Sequence, residues 1–111
     1  MIEKRRYKRI PEDLPINYRL LSEAKVESLL TRDISQGGIR FLVHDFIPKD
    51  SLLEIKLNFK KISFSLVAIV RVKWIKKDPS GDRYEIGAEF MNLSEESLNR
   101  LIEYIGSVIK G

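Results

Sequence analysis

Apolar side chains recur at every second position through most of this chain, and near residue 94 the spacing changes to every third or fourth. Period two is the mark of a half-buried strand, because successive side chains point to opposite faces of a sheet. The clearest case is Leu53, Ile55, Leu57 and Phe59, which alternate with Glu54, Lys56 and Asn58. Ile16, Tyr18 and Leu20 form a second such set, Ile39, Phe41 and Val43 a third, and Tyr84, Ile86, Ala88 and Phe90 another. Residues 24–33 alternate less cleanly, but they hold no breaker and can pair with the strand before them. From Ile62 to Ile75 there is no glycine or proline, and the even positions Phe64, Leu66, Ala68, Val70, Val72 and Trp74 are predicted to share one face. That run is well beyond the usual ~5–6 residues of a strand, so a curved strand is expected.

Turn chemistry separates these runs. Ser35-Gln36-Gly37-Gly38 and Asp78-Pro79-Ser80-Gly81-Asp82 are turn signals. In the first of them glycine is expected to supply positive φ without steric cost. After Ser94, a helix cap, Glu95 and Glu96 suit the first turn of a helix. Leu98, Leu101, Ile102, Ile105 and Ile109 then make one apolar stripe. The expected architecture is mainly β: a small six-stranded antiparallel barrel with a C-terminal amphipathic helix and a flexible basic N-terminal arm. Closure into a barrel also removes exposed sheet edges. At 111 residues the chain reads as a single domain, with the arm at 1–10, the barrel at 14–93 and the helix at 94–110.

The charge is concentrated. The chain carries 20 basic and 16 acidic side chains, a formal net charge of +4. Lys4, Arg5, Arg6, Lys8 and Arg9 against Glu3 place that whole excess in the first ten residues, leaving 15 of each sign in the rest. Such an arm on a neutral body points to an anionic partner meeting the protein there. With no cysteine, disulfides, thiolate metal sites and cysteine nucleophiles are excluded. The lone histidine, His44, beside Asp45 in a loop, is a poor basis for a catalytic relay. Glu12 with Asp13 and Glu95 with Glu96 are adjacent in sequence and do not converge on one substrate atom. No Walker loop, dinucleotide fingerprint or nucleophile elbow occurs. No apolar run approaches a membrane span, and the basic start leads into Pro11 rather than a signal sequence. A non-enzymatic, cytoplasmic protein with no metal or cofactor is expected.

Two patterns remain. Arg5 and Arg9 stand at i and i+4 in the arm, and Asp33, Ser35 and Gly38 at i, i+2 and i+5 ahead of a strand. Alone, the first reads as a solvated tail and the second as a turn with a local side-chain bond. In this order and spacing, Arg-x-x-x-Arg followed by Asp-x-Ser-x-x-Gly resembles the PilZ domain family. The likeness extends to Gly38-Ile39-Arg40-Phe41, Val72-Lys73-Trp74-Ile75, Ile86-Gly87-Ala88-Glu89-Phe90 and the final helix, and so covers essentially the whole chain. The resemblance implies a six-stranded barrel and a bacterial receptor for the second messenger cyclic di-GMP that passes its signal to a protein partner.

By the match, Arg5 and Arg9 would contact the dinucleotide, and Asp33, Ser35 and Gly38 would hold it on the barrel. The chemistry suits: arginine presents a planar fork to phosphate or to guanine O6 and N7, and an ionised carboxylate accepts from guanine's N1–H and N2–H₂. Ser35 could add one hydroxyl bond, and Gly38 leaves the backbone open to approach. Gly37 is either a further contact or a turn residue only. Lys4 and Arg6 are either solvated or extra cations for a stacked ligand pair, and Trp74 is either a core or rim aromatic or a wall of the guanine pocket. Arg40 is expected to face solvent. Two other readings stay open: a small barrel that binds single-stranded nucleic acid through the arm, and a docking module of the same family that binds no nucleotide. The neutral balance of residues 11–111 weighs against the first.

Overall fold

Alternation is realised as a closed barrel. The computed structural model describes residues 10–11, 14–24, 26–79 and 81–110. The strands are β1 (Ile10–Pro11), β2 (Pro15–Leu20), β3 (Glu27–Ile34), β4 (Gly38–Val43), β5 (Leu52–Phe59), β6 (Phe64–Lys77) and β7 (Tyr84–Phe90), followed by the helix α1 (Glu95–Lys110). The sheet runs β1-β3-β2-β5-β6-β7-β4, and a further β3–β4 pairing closes it. The barrel proper therefore has six antiparallel strands, and the two-residue β1 is added along β3.

The interior is filled by the predicted inward sets. Ile16, Ile39, Phe41, Leu53, Leu57 and Ile86 are all fully buried. Each side chain of this size contributes about 1.5–3 kcal/mol when buried. Tyr18 leans on Phe41 with ring centroids 5.4 Å apart. A short turn, Lys60–Ile62, links β5 to β6 through Ser63 in the left-handed conformation.

Ser94 caps α1 as expected: its Oγ accepts the backbone N–H of Ser97 at 3.1 Å. The buried stripe is rotated from the predicted one. Leu101, Tyr104 and Ile105 are buried, whereas Ile102 is 42% exposed. Tyr104 draws the helix round, since its ring meets Phe59 at 4.7 Å between centroids. Arg100 lies over the neighbouring Phe64 ring at 4.6 Å. The helix thus covers the barrel end formed by the β5–β6 hairpin, and it also contacts β1.

The even-position face predicted for the long strand holds only as far as Val72. Val72 pairs with Ala88 and Trp74 with Gly87, so Lys73 is an extra residue, a β-bulge. Beyond it the pattern inverts: Ile75, opposite the buried Ile86, packs against the core, while Trp74 lies on the outer face. No helix among the described residues is long and apolar enough to cross a membrane.

Candidate functional site

A second bulge lies in β3. Thr31 pairs with Phe41, and Asp33 with Arg40, so Arg32 is the extra residue. Before it, Thr31 faces inward and its Oγ1 accepts the backbone N–H of Leu14 at 3.0 Å. After it, Ile34 opposite Ile39 faces inward and Asp33 turns outward. The two bulges act at one level of the barrel. Asp33 on β3 pairs with Arg40 on β4, Arg40 with Gly87 on β7, and Gly87 with Trp74 on β6. These four residues form one row across the outer face, three strand spacings or roughly 14 Å wide.

Asp33 is only 5% exposed although it lies on the outer face. Arg40 covers it: its Nε donates to Oδ2 of Asp33, and its Nη2 forms an ion pair with the same oxygen. That bond is the main cause that raises the Arg40 pKa further, so the guanidinium stays charged. Arg40 thus does more than face solvent, and no periodicity could have assigned it this partner. Its Nη1 lies 4.0 Å from Oε1 of Glu85, a 7%-exposed carboxylate on β7. Glu85 is also approached by Arg32 Nε at 3.3 Å and Lys76 Nζ at 3.5 Å.

Ser35 builds the hairpin between β3 and β4. Its N–H donates to the Gly38 carbonyl at 2.9 Å. Its Oγ accepts the N–H groups of Gly37 at 3.1 Å and Gly38 at 3.2 Å, and the residue is 2% exposed. No described glycine has positive φ, so the turn does not use the conformational freedom expected of it. Gly38 is required by a close approach instead: a Cβ there would lie 2.2 Å from the Ala88 carbonyl oxygen across the ladder. At Gly87 the obstacle is a side chain instead: a Cβ would lie 2.3 Å from Cε2 of Trp74, so the bare backbone leaves room for that ring. The indole therefore lies directly over Gly87, is 38% exposed, and has the Lys76 ammonium 5.5 Å from its ring centroid.

Lys4, Arg5, Arg6 and Arg9 lie outside the described residues. The described chain begins at Ile10, paired with Ile34, and Pro11, paired with Asp33. The described chain thus enters the barrel along the strand that carries Asp33. What the row can do chemically is accept N–H donors at a nearly dry carboxylate at one end and offer an aromatic face at the other. Among the described residues no group of three or more His, Asp or Glu side chains is placed to hold a metal.

A family model described as the PilZ domain matches residues 3–107. No curated protein matches the sequence. Among solved structures, the chain is similar to the Bacillus subtilis inhibitor of motility MotI/DgrA, with TM-score 0.84, 18% identity, and coverage of 98% of this chain and 53% of that one. It is similar to YcgR in complex with c-di-GMP from Escherichia coli, with TM-score 0.81, 18% identity, and coverage of 98% and 47%. The isolated PilZ domain of E. coli YcgR with c-di-GMP gives TM-score 0.75 at 18% identity, with coverage of 97% and 93%. The chain spans about half the length of the first two proteins. At these identities the likeness is one of fold.

Proposed function

The chain belongs to the PilZ domain family, and on that premise we propose that it is a non-enzymatic receptor for cyclic di-GMP. One observation carries the reading. β1 runs along β3 with Ile10 opposite Ile34 and Pro11 opposite Asp33, so the chain that follows the Arg-x-x-x-Arg motif enters the barrel beside the strand of the Asp-x-Ser-x-x-Gly motif, although 23 residues lie between Arg9 and Asp33. Two structural neighbours, YcgR and the MrkH–c-di-GMP complex of K. pneumonia, hold this dinucleotide, which supports the choice of ligand.

In this reading Arg5 and Arg9 close over the phosphates while the Asp33 carboxylate accepts from a guanine edge. Ser35 and Gly38 act through shape: the hydroxyl holds the hairpin and the bare glycine lets β4 and β7 approach. Gly37 donates to that hydroxyl and belongs to the turn. Trp74 offers a face against which a base can stack, and Lys4 and Arg6 add positive potential for a second ligand. The bound arm then presents a changed surface to a protein partner. A charge-assisted contact is worth about 1.5–3 kcal/mol, so loss of one arginine weakens binding about 10- to 100-fold.

Calorimetry with cyclic di-GMP, cyclic di-AMP, GTP and a short oligonucleotide tests the proposal. Saturable micromolar or tighter binding of cyclic di-GMP alone is expected, and Arg9→Ala and Asp33→Ala should each weaken it strongly. Absence of binding by a chain with intact circular dichroism rejects the receptor reading. Oligonucleotide binding instead would favour the nucleic-acid alternative.

A further inference from the structure

Asp33 is the acceptor on which guanine recognition would rest, and Arg40 already occupies it. We propose that Arg40 is a built-in competitor for the guanine edge: its fork imitates the base, and cyclic di-GMP binds by displacing it. This inference rests on the receptor reading above.

The chemistry of the pair is the argument. Nε and Nη2 of Arg40 are two parallel, coplanar N–H donors, and both engage Oδ2 of Asp33. Guanine offers the same pattern through N1–H and N2–H₂, so base and side chain compete for one carboxylate. Asp33 is nearly buried, and taking a charged donor away from a buried carboxylate is costly. Arg40 supplies that donor in the free protein, and a ligand that displaces it must supply donors in its place. Adenine's pairing edge carries one acceptor and one donor, so it cannot present two donors in place of the fork. Discrimination here is a difference between two occupants of Asp33, not the strength of either alone.

The structure also provides a place for the displaced side chain. Nη1 of Arg40 lies 4.0 Å from Oε1 of Glu85, and the Arg40 side chain is 33% exposed, free enough to swing. Arg40 then passes from Asp33 to Glu85 and remains beside the ligand as a cation. Its guanidinium is the moving part, and the barrel strands stay in register.

The test uses the full chain and cyclic di-GMP. Arg40→Lys keeps the positive charge but loses the planar fork. It should tighten the calorimetric Kd about two- to fivefold, the range for a charge pair partly open to water. In the wild-type protein the Arg40 Nε–H resonance should shift on titration, saturating with the calorimetric Kd. An unchanged or weaker Kd in Arg40→Lys with wild-type thermal stability overturns the proposal. So does an Nε–H resonance that stays put at saturating ligand, and this second measurement decides the matter if the variant does not fold. If the wild-type protein binds no cyclic di-GMP, the receptor reading itself fails. If it binds with an unmoved Arg40, only the exchange fails.

Discussion

Gly87→Ala is a small change whose consequence can be worked out from one contact. A methyl group at residue 87 would lie 2.3 Å from Cε2, 2.4 Å from Nε1 and 2.6 Å from Cζ2 of Trp74. Carbon atoms pack at about 3.5–4.0 Å, so the indole must retreat from the sheet by more than about 1 Å. The obstacle is a side chain rather than backbone, so the ring can swing away and the ladder between β6 and β7 can survive. The loss is then one of cover. Tryptophan side chains bury about 150–250 Å² when packed, and giving up roughly a third of that, about 60 Å², costs about 1.5 kcal/mol at 25 cal/mol per Å². With a urea slope of about 1.5 kcal/mol/M the unfolding midpoint falls by about 1 M. Trp74 is the only tryptophan, so its emission reports this movement without ambiguity, and a shift to longer wavelength is expected. If the variant keeps both the emission maximum and the midpoint, Trp74 does not lie over Gly87, and the aromatic face attributed to the site is lost with it. If Trp74 stacks on a base, the same variant also weakens ligand binding, whereas a purely structural indole would leave binding unchanged.

Gly38→Ala should be the more damaging glycine substitution. Its methyl group meets the Ala88 carbonyl oxygen at 2.2 Å, and backbone cannot swing away. Separating β4 from β7 there strains the ladder and the Phe90 N–H to Gly37 carbonyl bond, so a loss of about 2–4 kcal/mol in urea unfolding is expected, and a neutral result refutes the close approach. Tyr18 gives a pH prediction: burial, with smaller help from Glu27 and Asp45 and against a bond from the His44 backbone, raises its phenol above the usual value of about 10. The folded state then holds the phenolic proton more tightly than the unfolded state. The corresponding stability is complete below pH ~10 and is lost as pH rises through the folded pKa. Tyr18→Phe should therefore flatten the decline in stability above pH ~10 in a denaturation series, and an unaltered slope would show that Tyr18 contributes none of it.

The barrel was legible in the sequence because period two needs only the side chains of one strand. Leu53, Ile55, Leu57 and Phe59 alternate with polar residues, and all four are buried. The cap at Ser94 was equally local, being a side chain that bonds a backbone N–H three residues on. The helix face was less so. Nothing within residues 95–110 says that Tyr104 has Phe59 to meet, and that single ring contact turns Ile102 outward and places Tyr104 in the interface.

The site escaped the pattern for a deeper reason. A bulge is one residue added to one strand, and alternation read along a chain assumes that none is added. Arg32 and Lys73 each break that assumption, at the same level of the barrel. An unbroken β3 would have placed Asp33 on the face of Thr31, inside. An unbroken β6 would have placed Trp74 on the face of Val72, also inside. The two bulges instead turn a carboxylate and an indole out of the core on either side of β4 and β7, where Arg40 and Gly87 lie between them. Motif spacing could name Asp33, because that spacing is counted along one chain. It could not name Arg40 as its partner, because that pairing depends on where a strand slips by one residue. Deleting Arg32 leaves Thr31 followed directly by Asp33, and deleting Lys73 leaves Val72 followed directly by Trp74, so plain alternation still turns Asp33 and Trp74 outward, opposite Arg40 and Gly87. Each deletion should therefore keep the six-stranded barrel by circular dichroism and keep the outer row and its ligand binding. Loss of binding by a deletion with an intact barrel would mean that the local twist of the bulge, and not the facing alone, positions the site.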